Sequence, residues 1–231
     1  MDDITTILFD VGGPLVNDDP AIDAWHEHLR QLVLDRTGQE FSTADIGAIM
    51  EQSIACYAPS FISFVIWQMV RPNKNLFYEL RRECDRFPFE KLVEPVPGVI
   101  DILKQLKGHF KLGIVANQNS AMGRTLEEMG ILSFFDSKMM SEDLRLAKPD
   151  TRIFLAVLQS LGSRPEEAAM IGDRQDNDIV PAKSLKMTAV RLLVGPHRHQ
   201  AVRYPREEPD HTIQNLSGLL DIPFISNKLN L

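Results

Sequence analysis

Apolar residues recur along this chain in two rhythms, and the places where one gives way to the other set its organisation. Thr5-Thr6-Ile7-Leu8-Phe9 is a short branched and aromatic run that ends in Asp10 and then Gly12-Gly13-Pro14. That order predicts a buried strand running into a tight turn. Between residues 20 and 87 no strand alternation occurs. Ile22, Trp25, Leu29 and Leu32 share one face of a helix that Asp19 caps and Pro20 opens. Ser42-Thr43-Ala44-Asp45 has the form of a capping box, continued by Ile46, Ile49 and Met50. The apolar run 61–70 gives a third helix, stopped by Pro72, and Leu76, Phe77 and Leu80 mark a fourth.

From Glu94-Pro95-Val96-Pro97-Gly98 the pattern changes to alternating units. A helix over 98–107 precedes a strand, Lys111 to Val115, that ends at Ala116-Asn117. Ser120 is placed as the cap of a helix that stops at Gly130, and Lys138-Met139-Met140 is a short strand. A helix over 150–161 turns Ile153, Phe154, Val157 and Leu161 inward, and Ala168-Ala169-Met170-Ile171 is a strand ending in Gly172-Asp173. A helix near 177–185, a strand over 188–193 and a final helix near 212–221 complete the series. Strands alternating with helices of this length predict an α/β fold, a three-layer Rossmann-like parallel sheet joined by right-handed crossovers. The expected core is residues 1–16 and 95–231, with a helical domain, 17–94, inserted after the first strand.

Charge narrows the function classes. The 231 residues carry 25 basic and 32 acidic side chains, a net charge of −7, which offers nucleic acid no electrostatic footprint. The basic run Arg191, His197, Arg198, His199, Arg203 and Arg206 reads as a solvated loop face, with an anion site as its alternative. The two cysteines form no disulfide framework and suit a reducing compartment, and Met1-Asp2-Asp3 lacks the positive region of a signal peptide. The run 61–70 is too short for a membrane span, which needs about 20 residues. The expected location is the cytoplasm, with no membrane partner. That same run is read either as core of the inserted domain or as a homodimer surface.

The chemistry falls just after strands. Asp10, Asn117, Lys148, Asp173 and Asp178 come from distant parts of the sequence, but a parallel sheet brings successive strand ends to one edge. Acidic groups gathered there repel one another unless a cation pairs with them, a need met by a lysine and by a divalent ion such as Mg²⁺. One carboxylate is then available to attack as a nucleophile. The alternative for each residue alone is a turn or helix cap.

The order and context of these residues resemble the haloacid dehalogenase-like (HAD) hydrolase superfamily, a group dominated by phosphatases. Four stretches carry the resemblance: Phe9-Asp10-Val11-Gly12-Gly13-Pro14-Leu15, Ile114-Val115-Ala116-Asn117, Lys148-Pro149-Asp150-Thr151-Arg152-Ile153-Phe154 and Gly172-Asp173-Arg174-Gln175-Asp176-Asn177-Asp178-Ile179. It implies a HAD-like core with a helical C1-type cap and a small-molecule phosphate as substrate. It also implies Asp10 as nucleophile and Mg²⁺ ligand, the Gly12 carbonyl and Asp173 as further ligands, and Asp178 as a more distant one. Lys148 and Asn117 would act on the phosphoryl group, which would lie against Gly13, Asn117 and Lys148. His26 and Arg30, from the inserted helices, are candidate substrate contacts, with solvated helix residues as the alternative for both.

Three departures bear on activity. Gly12 stands where phosphatases of this family carry the Asp that serves as general acid and base, and such a group contributes typically 10²- to 10⁴-fold in rate. Pro14 replaces a threonine, and Ala116 replaces a hydroxyl that holds the transferred group. The leading expectation is a specialised or slow Mg²⁺-dependent phosphohydrolase that works through an aspartyl-phosphate. A catalytically impaired binding or regulatory protein is the rival. A metal-independent 2-haloacid dehalogenase is disfavoured by the absence of its Tyr near Gly12 and its Ser near Ala116. A phosphonate hydrolase is disfavoured by the absence of any lysine before Lys74.

Overall fold

A computed structural model describes residues 3–231. The chain enters through β1 (Thr6–Phe9), turns, and forms the two-residue strand β2 (Val16–Asn17). It then leaves for four helices, α1 (Asp19–Thr37), α2 (Thr43–Ala55), α3 (Phe61–Val70) and α4 (Lys74–Cys84), and returns at β3 (Glu94–Pro95). There follow α5 (Val99–Leu106), β4 (Lys111–Ala116), α6 (Ser120–Glu128), β5 (Ser137–Met140), α7 (Ser141–Leu144) and α8 (Thr151–Leu161). The chain closes with β6 (Ala168–Gly172), α9 (Val180–Ser184), β7 (Thr188–Leu192), β8 (His211–Ile213) and α10 (Pro223–Leu229). By internal contact it divides into two compact units, the segment ending at Asn17 together with Glu94–Leu231, and Asp18–Val93.

The first unit is built on a six-stranded sheet in the order β5-β4-β1-β6-β7-β8, every neighbouring pair parallel. This is the α/β architecture that the alternating pattern predicts. β1 lies at the centre, with Phe9 opposite Ile114 on one side and Ile171 on the other, and all four of its residues are buried. A strand covered on both faces reads as a continuous apolar run, which is why Ile7-Leu8-Phe9 shows no alternation. α8 turns Ile153, Phe154, Val157 and Leu161 into one cluster with Leu8, Val115 and Met170, the face its spacing predicts. At Gly113 on β4 an added Cβ would lie 2.8 Å from Leu8 Cδ2 and 2.9 Å from Val157 Cγ1, so only glycine lets helix and sheet pack this closely.

The second unit has its own core. Trp25, Leu29, Ile46, Ile66 and Leu80 are buried in one cluster drawn from all four helices, with Phe61 and Ile62 packed partly against it. The Ser42 side chain accepts from the Asp45 N–H while the Asp45 carboxylate accepts from the Ser42 N–H, closing the capping box. Among the described residues no helix is long and apolar enough to cross a membrane.

Some elements differ from the pattern-based reading. The final helix expected near 212–221 is instead the edge strand β8, a 3₁₀ turn (Leu216–Asp221) and α10. His211-Thr212-Ile213 is too short to show a period of two, and its pairing with Val190 to Leu192 makes it a strand. Asn119, not Ser120, caps α6, its side chain accepting from the Met122 N–H. Asp18, not Asp19, stands at the cap position of α1. The helix expected at 177–185 begins as a π-helical turn, Gln175–Ile179, before α9. The basic run is only partly a solvated face: Arg198, His199, Arg203 and Arg206 are exposed, but Arg191 and His197 are each only 5% exposed. Arg191 lies on β7, where a cluster of carbonyls and amides receives its guanidinium.

Candidate active site

The parallel sheet collects the polar groups at the carboxyl ends of its central strands. β1 ends at Phe9, so Asp10 is the first residue beyond it, and its N–H donates to the Ile171 carbonyl at 2.9 Å, continuing the sheet by one bond. The chain then reverses over residues 11–16, with the N–H groups of Leu15 and Val16 donating to the Val11 carbonyl and that of Gly13 to Val16. Gly13 holds φ +86°, a left-handed conformation that glycine adopts without strain. A Cβ there would meet Asp173 Cβ and Cγ at 3.1 Å, so the turn lies directly against the Asp173 side chain.

Asp173 follows β6, and the π-helical turn behind it carries Asp178 back under the strand end. Gly172 makes room for that return: an added Cβ would lie 2.3 Å from Asp178 Cγ. Carboxylate oxygens of Asp10, Asp173 and Asp178 lie within 4.8 Å of one another, and all three residues are buried. Lys148 enters this group from the segment before α8. Its Nζ stands 2.8 Å from Asp10 Oδ1 and 2.6 Å from Asp178 Oδ1. The Val11 N–H also donates to Asp10 Oδ1, at 2.7 Å, so that oxygen is fixed from two sides and the direction of the other follows. Asp178 Oδ2 accepts from the Arg174 N–H at 3.0 Å, leaving both oxygens of Asp178 engaged.

The electrostatics reflect one ammonium among three carboxyls. Burial, with Asp173 adding repulsion, raises Asp10 above the ordinary aspartate range although Lys148 opposes the shift. Burial likewise pushes Asp178 up to about 7, against the pull of Lys148 and with Asp10 and Asp173 contributing. Burial works against the charge on Lys148 itself, but Asp10 and Asp178 outweigh it and hold the lysine above its usual range. A buried oxygen-only donor set with unbalanced negative charge is the chemistry that suits Mg²⁺, a hard cation that dehydrates reluctantly and takes carboxylates plus water. Asp10 and Asp173 fit as its ligands, and Asp178, bound on both oxygens, fits as their neighbour.

Asn117 serves Lys148. Its Nδ2 donates to the Lys148 carbonyl at 2.9 Å and its Oδ1 accepts from the Lys148 N–H at 2.7 Å, a two-way clamp on the lysine's backbone. His26 and Arg30 belong to the Asp18–Val93 unit. Burial lowers the His26 imidazole below its usual range, with Asp23 opposing, and its Nε2 has no hydrogen-bond partner among the described residues. Arg30 is bound through Nε and Nη2 to Glu27 on its own helix. The sequence pattern gave no role to Arg174 and Gln175 and placed Arg191 and His197 on a solvated loop face. Arg174 pairs with Asp176 at 2.7 Å, and His197 Nδ1 lies 3.7 Å from Asp173 Oδ2. The signal available was their density beside Asp173, which reads as surface charge because Gly195-Pro196 announces a loop.

Known proteins resemble this chain in sequence and fold. A family model described as haloacid dehalogenase-like hydrolase matches residues 4–186. A glyceraldehyde 3-phosphate phosphatase of Methanocaldococcus jannaschii is 36% identical over 57% of this chain and 57% of its own, so the match spans little more than half of that relative. The pyrophosphatase PpaX of Halalkalibacterium halodurans is 27% identical over 95% of this chain and 97% of its own. Among solved structures, a HAD phosphatase from Thermococcus onnurineus superposes with a TM-score of 0.67 at 26% identity, covering 94% of this chain and 97% of that one. With the family match running from before β1 to beyond α9, the chain belongs to the haloacid dehalogenase-like hydrolases.

Proposed function

We propose that the protein is a Mg²⁺-dependent phosphohydrolase of the cytoplasm that acts on a small phosphorylated metabolite through an aspartyl-phosphate on Asp10. The observation that carries this reading is the placement of Asp10 beside Lys148 in a buried acidic trio. Mg²⁺ held by Asp10, Asp173 and the Gly12 carbonyl would supply charge neutralisation for the incoming phosphate. Asp10 attacks phosphorus, the bond from phosphorus to the leaving oxygen breaks, and Lys148 stabilises charge on the phosphoryl oxygens as it transfers. Water then attacks phosphorus, the Asp10–phosphorus bond breaks, and inorganic phosphate leaves. The names of the relatives, a glyceraldehyde 3-phosphate phosphatase and a pyrophosphatase, support small phosphate compounds as the substrate class.

Gly12 restricts which substrates turn over well. With no acid there, a leaving alcohol goes unprotonated, so phosphates whose leaving group is already a stable anion are favoured: aryl phosphate esters, acyl phosphates and phosphoanhydrides. Gly12 and Ala116 also favour a second reading, a protein that binds Mg²⁺ and phosphate with little turnover. Phosphate release from an aryl or acyl phosphate separates the two. Turnover that requires Mg²⁺ and disappears in Asp10→Asn supports the enzyme. Binding of both ligands without release over a broad phosphate panel supports the second reading.

A further inference from the structure

The turn that follows β7 carries a set of buried polar residues which the reaction above leaves unused. Arg191 pairs in register with Gly172, one residue before Asp173. Its guanidinium, buried at the edge of the site, donates from Nη2 to the carbonyls of His197 (3.0 Å) and Gln200 (2.7 Å), and from Nη1 to Gln175 Oε1 (3.2 Å). The Gln200 side chain accepts from the Gln175 N–H at 2.9 Å, and the Gln175 side chain donates to the Glu207 carbonyl. The loop carrying Asp173 is thus tied to the segment 197–207 by its backbone and by a side chain. Within that segment His197 faces Asp173, its Nδ1 3.7 Å from Oδ2, too long for a hydrogen bond but in contact. Gly13 closes the other side, where an added Cβ would lie 3.1 Å from Asp173 and 3.2 Å from Val194 Cγ2.

We infer that the 195–200 turn, locked by Arg191 and Gln200, is a positioning element for Asp173, with His197 as the side chain that holds the carboxylate in its ion-binding direction. The inference rests on the phosphohydrolase reading for the ion itself. Its physical basis is general: a carboxylate that binds a divalent ion loses affinity when the groups orienting it are removed, typically by 10- to 100-fold. Burying Arg191 opposes folding unless its donors are met, and here Nη1 is met by Gln175 and Nη2 by the turn.

Calorimetric titration of the full chain with Mg²⁺ alone tests the inference without any assay of activity. Two variants probe the element. His197→Ala removes the contact, and Gln200→Ala removes the side-chain bonds to the Gln175 amide and to Asp176. Each is expected to weaken Mg²⁺ binding at least ~10-fold, read well below a melting temperature in chelator that the loss of a buried side chain lowers. Arg198→Ala, an exposed change in the same turn, should leave the affinity as it was. At saturating Mg²⁺ the variants should recover turnover, since the phosphoryl contacts are intact. Parent-like Mg²⁺ affinity in both His197→Ala and Gln200→Ala overturns the positioning role and leaves the phosphohydrolase reading standing. Failure of the parent chain to bind Mg²⁺ removes both.

Discussion

Replacing Lys148 with methionine keeps the length of the side chain and removes the ammonium that contacts Asp10 and Asp178. The two contacts, 2.8 Å to Asp10 and 2.6 Å to Asp178, each correspond to roughly 6 kcal/mol of gross attraction at an effective dielectric constant of about 20. Most of that offsets the desolvation of the charges, so the measurable loss on deleting one partner of a buried pair is about 3–5 kcal/mol. The pH dependence carries the sharper test. Asp178 is already raised to about 7 and Asp10 lies above its normal range, both through burial. Without the ammonium that opposes those shifts, both rise further. The folded variant then holds protons that the unfolded chain, with ordinary aspartates near 4, has released. Stability falls with rising pH wherever the native state binds more protons, and since the unfolded chains are alike, the variant loses ground to the parent only above the parent's own folded values, for Asp178 above about pH 7. Urea unfolding in chelator, at pH 5.5 and at pH 8.0, measures this. The expected result is a deficit of about 3–5 kcal/mol at the higher pH and a clearly smaller one at the lower. A deficit below about 1 kcal/mol at pH 8.0, or one no smaller at pH 5.5, would refute the account of Lys148 as counter-charge to a strained trio.

Two further substitutions address neighbouring features. Gly172→Ala places a methyl group 2.3 Å from Asp178 Cγ, a clash that no rotamer of the new residue relieves, and a loss of about 3 kcal/mol or failure to fold is expected on thermal denaturation. Gly12→Asp supplies an acid where the family's phosphatases carry one. Steady-state kinetics should show turnover of an alkyl phosphate rising by about 10²-fold or more, and by more than that of an aryl phosphate, which gains only from base assistance to water; a uniform change across both substrates would argue against protonation of the leaving group as the missing step.

The core and most of its strands were legible because each is short, largely apolar and punctuated, whereas the order of the strands in the sheet comes from their pairing. Asp10, Asn117 and Gly172-Asp173 each follow such a run, and a parallel sheet leaves few places for strand ends to go. β8 was not legible, since three residues ending in one buried isoleucine carry no period, and its identity comes from pairing with β7. Asn117 was readable as a member of the group, but its clamp on the Lys148 backbone depends on a separation of 31 residues that no local pattern encodes. Arg191 and His197 were misread for a related reason. Hydropathy assigns charged residues beside Gly-Pro to solvent, whereas the register of β7 against β6 carries Arg191 to the level of Gly172 and buries it.

The two-residue strands β2 and β3 have a consequence for the ancestry and engineering of the chain. They run antiparallel, Val16 opposite Pro95 and Asn17 opposite Glu94, so the points where the chain departs from the sheet and rejoins it are adjacent. To the sheet, everything from Asp18 to Val93 is the tip of a hairpin, and lengthening such a tip costs little, about 0.6 kcal/mol for each doubling. A gene can therefore accept, enlarge or exchange the four-helix passage at this doorway while the strands that carry the chemistry keep their partners.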